Sequence, residues 1–68
     1  MRAVEAIRAG VKALRTRPAM GRPLDDMPVE FREHIIPFGG SAYIAMYRVE
    51  EDLIVVLAIR HAREAGYY

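Results

Sequence analysis

Seven consecutive apolar residues, Leu53 to Ile59, form the longest such run in a chain of only 68 residues that contains no cysteine. The run is far short of the roughly 20 residues that a membrane-spanning helix needs, so it predicts burial within protein and no membrane partner. A strand that is apolar on both faces fits a central or covered place in a sheet. A chain of this size hides only about 60% of its unfolded surface, which leaves a marginal core. Disulfides cannot reinforce it, and His34 and His61, far apart and without cysteine company, do not have the spacing of a metal site. No cofactor is expected. A second chain is the remaining source of support.

The rest of the sequence supplies the partners for that strand. Val4, Ile7, Val11 and Leu14 recur at steps of three and four, with Ala3, Ala6 and Ala13 widening the stripe, which predicts an amphipathic helix over roughly residues 2–16. Gly10 weakens it by about 1 kcal/mol relative to alanine. Pro18 ends it, because a residue before proline is driven out of the helical region. The proline-rich stretch to Pro28 lacks the composition of a flexible linker, and Met20, Leu24 and Met27 give it apolar anchors, so it is read as a docked connector. Phe31 to Phe38 predicts a strand with Phe31, Glu33 and Ile35 on one face and Arg32, His34, Ile36 and Phe38 on the other. Gly39-Gly40-Ser41 is the strongest turn signal. Ala42 to Val49 follows as a second strand, Glu50-Glu51-Asp52 as a charged turn, and Leu53 to Ile59 as the third strand. The expected fold is a single α+β domain spanning residues 1–68, an N-terminal helix packed on a three-stranded antiparallel meander. One sheet face and the sheet edges then lack cover, so a homodimer through the sheet is expected, with a strand or helix of another protein as the alternative.

The net charge of +1 is unevenly spread: residues 1–22 carry +5 and residues 23–52 carry −5. A solvated helix face accounts for the basic segment more simply than an anion-binding surface. The only dense polar cluster is the run Arg60-His61-Ala62-Arg63-Glu64-Ala65-Gly66-Tyr67-Tyr68, with Arg32 expected to approach it across the sheet. Arginine, histidine and tyrosine together suit phosphodiester chemistry, since histidine or tyrosine can move a ribose or leaving-group proton and arginine can stabilise charge on phosphate. The candidates are therefore Arg32, Arg60, His61, Arg63 and Tyr67. The plainer reading makes His61 a hydrogen-bonded structural residue, Tyr43 and Tyr47 strand packing, and Arg32 and Arg48 partners of Glu33, Glu50 or Glu51.

The helix, the Gly21-Arg22-Pro23-Leu24 connector, the Phe31-Arg32-Glu33 opening, the Gly39-Gly40-Ser41-Ala42-Tyr43 hairpin with Met46-Tyr47-Arg48, and the Val55 to Tyr67 segment resemble the RelE/ParE superfamily of type II toxins, often described as plasmid stabilisation proteins. The resemblance implies a cytoplasmic toxin with a cognate antitoxin. Members usually open with an additional strand and a first helix, whereas this chain resembles them from the second helix onward, so either the start lies upstream of Met1 or a shortened or inactive member is expected. RelE-like members cut mRNA on the ribosome; ParE-like members inhibit DNA gyrase and carry no recognised nuclease site. The Arg60-His61-Ala62-Arg63 tail looks closer to ParE, and a charge of +1 is low for binding ribosomal RNA. A ParE-like toxin is the expectation. The alternatives are a RelE-like ribosome-dependent endoribonuclease and a non-catalytic homodimeric binding module.

Overall fold

The structure is a computed structural model that describes residues 2–51 and 53–63. Helix α1 (Ala3–Thr16) ends where the proline dictates: Arg17 leaves the helical region at φ −134°, ψ 77°, and Pro18–Met20 forms a short 3₁₀ turn. Four antiparallel strands follow in the spatial order β1 (Arg22–Pro23), β2 (Phe31–Phe38), β3 (Ser41–Glu50) and β4 (Leu53–His61). The α+β class and the helix-on-sheet arrangement are as expected, but the sheet has four strands rather than three. The extra one is the connector itself, in which Arg22 pairs with Glu33 and Pro23 with Arg32.

The two-residue turn between Phe38 and Ser41 joins β2 to β3, with Gly39 at φ 60°, a conformation that glycine adopts without a side-chain clash. Residues paired across the sheet share a face, so the registers fix the two surfaces. Arg32, His34, Ile36 and Phe38 lie with Tyr43, Ala45 and Tyr47, and with Ile59 and His61 of β4. This face receives α1, and Ala6, Ile36 and Ala45 form the buried cluster with Phe38, Tyr43 and Ile59 against it. Glu33, Ile35, Ile44, Met46 and Arg60 lie on the opposite face.

Two expectations are corrected here. The apolar strand is not central: among the described residues β4 pairs only with β3, and Leu53 is 64% and Leu57 40% exposed. Leu57 is also an extra residue in the ladder, since Met46 pairs with Ala58 while the next residue, Tyr47, pairs with Val56. The helix stripe is used unevenly as well. Ala6 and Leu14 are buried, Ile7 and Val11 are half-buried, and Val4 is 59% exposed. The cause is Gly10, where a Cβ would stand 2.6 Å from Ile36 Cγ1 and 2.8 Å from its Cδ1. The missing side chain lets the helix backbone settle on β2, while Ile7 and Val11 are turned toward β4 and Val4 toward solvent.

Gly10→Ala weighs two effects against each other. Helix propensity favours alanine by about 1 kcal/mol, while overpacking against the buried Ile36 costs about 1–3 kcal/mol. Ile36 is itself only 3% exposed, so the expected outcome is a net loss of about 1 kcal/mol, read as a Tm lowered by about 4–8 °C. An unchanged or higher Tm would show that the helix does not sit this close.

Candidate functional site

Polar side chains gather at two places, at opposite ends of the helix-bearing face. The first lies where the connector meets the sheet. Tyr47 is fully buried, and its hydroxyl donates to the Pro18 carbonyl at 2.6 Å and accepts from the Gly21 amide at 3.0 Å. Arg32 Nη1 donates to the Gly21 carbonyl at 2.7 Å and reaches the Ala19 carbonyl at 3.5 Å. Arg22 bonds Glu33 through Nε and Nη2, both at 3.2 Å, beside the same turn. Gly21 is required at this crossing, because a Cβ there would lie 2.6 Å from the Glu33 carbonyl and collide with the Tyr47 hydroxyl. The cluster is thus a clamp that satisfies backbone groups of the connector that its two-residue ladder with β2 does not reach.

The second place is the far end of β4. His61 stands edge-on to Tyr43, with ring centroids 5.2 Å apart and planes at 87°, and Tyr43 packs on Phe38 at 5.9 Å. The His61 Nδ1 accepts the Arg63 amide at 3.2 Å. A ring accepting at Nδ1 carries its proton at Nε2 when neutral. Arg60 is paired with Ile44 and lies on the opposite face of the sheet from His61.

The candidate set therefore does not assemble as expected. Arg32 sits beside Tyr47, four residues along β3 from the Tyr43 row that holds His61, or about 13 Å at the rise of a strand. It faces the connector carbonyls rather than the β4 end. Arg60 and His61 diverge, the Arg63 amide caps His61, and Tyr67 lies outside the described residues. Of the simpler pairings, Arg48 meets Glu50 at 2.6 Å within its own strand and lies 5.9 Å from the Phe31 ring centroid. The acid beside β1 is taken by Arg22. No group of three or more potential metal ligands occurs among the described residues.

One surface was not evident from the residue pattern. Ile7, Val11, Val56 and Ile59 line an open groove of about 420 Å³ between α1 and β4, rimmed by Arg8, Lys12 and Arg15. It continues past Val11 and Arg15 into a recess of about 550 Å³ bounded by Pro18, Leu53 and Ile54.

The model of the family described as the ParE toxin of type II toxin–antitoxin systems, parDE, matches residues 1–66. The chain belongs to this family. No curated protein and no solved structure matches it. As a ParE-family toxin it has an antitoxin for its partner, and no described helix is long and apolar enough to cross a membrane. The RelE/ParE resemblance read from the sequence agrees with this membership. What residue reasoning missed in the ParE-family chain was the role of Tyr47. The available signal was a glycine before Arg22-Pro23 and a tyrosine on the helix-facing side of a strand.

His34 also serves the fold. Burial lowers its pKa below the usual 6.5, while a hydrogen bond with the Gly10 backbone pulls weakly the other way. The unfolded chain then takes up the proton more readily than the folded one. The stability that goes with neutral His34 is complete above about pH 6.5 and is lost as pH falls through the lowered folded value. Urea midpoints of the wild type should therefore fall between pH 7.5 and 5.5, and His34→Gln should flatten that slope. Tyr47→Phe should cost about 1–3 kcal/mol in chemical denaturation at pH 7.5, since it strips partners from the Pro18 carbonyl and the Gly21 amide at once.

Proposed function

We propose that this ParE-family toxin acts by binding DNA gyrase and not by cutting RNA. The observation that carries the reading is the divergence of the candidate side chains. Cleavage of a phosphodiester needs a proton donor or acceptor within hydrogen-bond reach of the reacting oxygens and a cation on the same phosphate. Here Arg32 is engaged with Gly21, and Arg60 and His61 lie on opposite faces. A toxin that works as a ligand needs surface and not a converging set. The toxin is taken to act in the cytoplasm, where gyrase is found.

The groove between α1 and β4 is the surface we assign to the antitoxin. Its floor is apolar and its rim carries Arg8, Lys12 and Arg15, so it fits an amphipathic segment with acidic flanks. Ile7→Glu should weaken neutralisation by the antitoxin without unfolding the toxin, because Ile7 is only half-buried.

Expression of the chain without antitoxin should arrest growth with a DNA-damage response. The purified chain should inhibit supercoiling by gyrase while mRNA on ribosomes stays intact, and His61→Ala should leave these effects in place. Ribosome-dependent cleavage of mRNA that His61→Ala abolishes would overturn the reading in favour of the RelE-like alternative.

A further inference from the structure

We propose that the first half of β4 exchanges between two registers on β3, so that the groove beside α1 receives either of two floors. The two halves of the strand are already out of step. Residues 58–61 pair with 43–46 in one register and residues 53–56 pair with 47–50 in another, with Leu57 left over between them. The bulge decides the faces. Val56 and Ile59 both lie on the helix-bearing side although they are three positions apart, and Ile54 and His61 continue that side. Leu53, Val55, Ala58 and Arg60 lie on the other.

A bulge of this kind is carried to the strand end when one segment moves along by a residue. Leu57 then enters the ladder opposite Tyr47, Val56 falls opposite Arg48, Val55 opposite Val49 and Ile54 opposite Glu50, while Leu53 passes into the turn. The pairs from Tyr43 to Met46 stay as they are. Both registers make the same number of pairs beyond Met46. The shifted one turns Val55 and Leu57 toward α1 in place of Ile54 and Val56. A register is held firmly where a one-residue slip would carry polar side chains into a core. Here the slip exchanges aliphatic for aliphatic on both faces, because Leu53 to Ile59 contains no polar residue. The side chains of β4 therefore do not choose between the two.

The turn does not choose either. In the bulged register Glu50 pairs with Leu53, the connection is two residues long, and Glu51 takes φ 39°. Two-residue hairpins ask for such positive φ, and glycine, asparagine or aspartate supplies it more readily than glutamate. The shifted register has a three-residue connection. That connection starts as a type I turn, which frees Glu51, and moves the left-handed conformation to position 53. Each register thus holds one non-glycine residue in a conformation it rarely adopts. Neither requires the outer side of β4 to be free, since the exchange concerns its pairing with β3.

The consequence falls on the groove. Val56 shares its floor with Ile7, Val11 and Ile59 in the bulged register, and the longer Leu57 replaces it in the shifted one. An occupant of the groove fits one floor better and draws the strand into that register. That the occupant is the antitoxin rests on the assignment made above; the exchange itself does not.

Amide relaxation dispersion on the purified full chain reads motion of this kind, on the microsecond to millisecond timescale. Residues 47–50 and 53–57 should show dispersion or a second set of peaks, with the minor register populated at about 1–10%, while 43–46 and 58–61 stay flat. Leu57→Lys brings a charge against α1 in the shifted register only, so it should abolish the dispersion. Leu57 is exposed in the bulge, so this change spares the fold. Val56→Lys should do the reverse and trap the shifted register, moving the cross-strand contact of Tyr47 from position 56 to Leu57. A wild type with neither dispersion nor doubled peaks, or with dispersion unchanged by Leu57→Lys, would overturn the proposal. So would a folded Val56→Lys chain in which Tyr47 still meets position 56. Loss of dispersion in Leu57→Lys carries the test if Val56→Lys does not fold. Every readout is taken on the toxin alone, so a failure of the antitoxin assignment would leave it unchanged.

Discussion

The Tyr47 hydroxyl is where the structure is tied together. It links β3 to the carbonyl of Pro18 and the amide of Gly21, residues 29 and 26 positions earlier in the chain. Those two bonds, with the one from Arg32 to the Gly21 carbonyl, hold the segment that carries the chain from helix to sheet. Once the connector is fixed there, Arg22 and Pro23 fall beside β2 as a fourth strand, and α1 is delivered to the face that bears Ile36. A buried backbone group without a partner costs about 1–3 kcal/mol, and a chain of 68 residues has little stability to spare. The clamp answers that constraint with side chains, because the connector's ladder with β2 is only two residues long.

This use of polar residues bears directly on function. Arg32 is the residue that phosphodiester chemistry would want as a cation, and it is bound to backbone carbonyls. His61 has an aromatic neighbour and an amide on its Nδ1, and Arg60 points from the other face. What the described residues do present is an apolar groove with a basic rim between α1 and β4.

Local rules made much of this legible in the sequence. Proline geometry placed the helix end before Pro18, the glycine pair placed the hairpin, and two-residue alternation assigned the faces of β2 correctly. What stayed hidden depends on residues distant in the chain. Gly10 reads as a helix weakener until Ile36 is seen against it. Leu53 to Ile59 reads as a central or covered strand because burial is inferred from composition, whereas its position is set by strand order. Arg32 was expected to approach the cluster at the end of β4 across the sheet, but its register with Tyr47 puts it four residues along β3 from the row that holds His61. The bonds of Tyr47 reach across more than 25 positions, and the glycine before Arg22-Pro23 and the helix-facing tyrosine do not by themselves say that the two meet.

Native-state hydrogen exchange at the Gly21 amide addresses the clamp most directly. Gly21 lies outside the strands, immediately before β1. If its amide is held by the Tyr47 hydroxyl as described, it should be protected nearly as well as the buried β3 amides around Ala45, and Tyr47→Phe should abolish that protection while β3 keeps its own. Exchange of Gly21 at the rate of a solvated turn in the wild type, unaltered by Tyr47→Phe, would contradict the account.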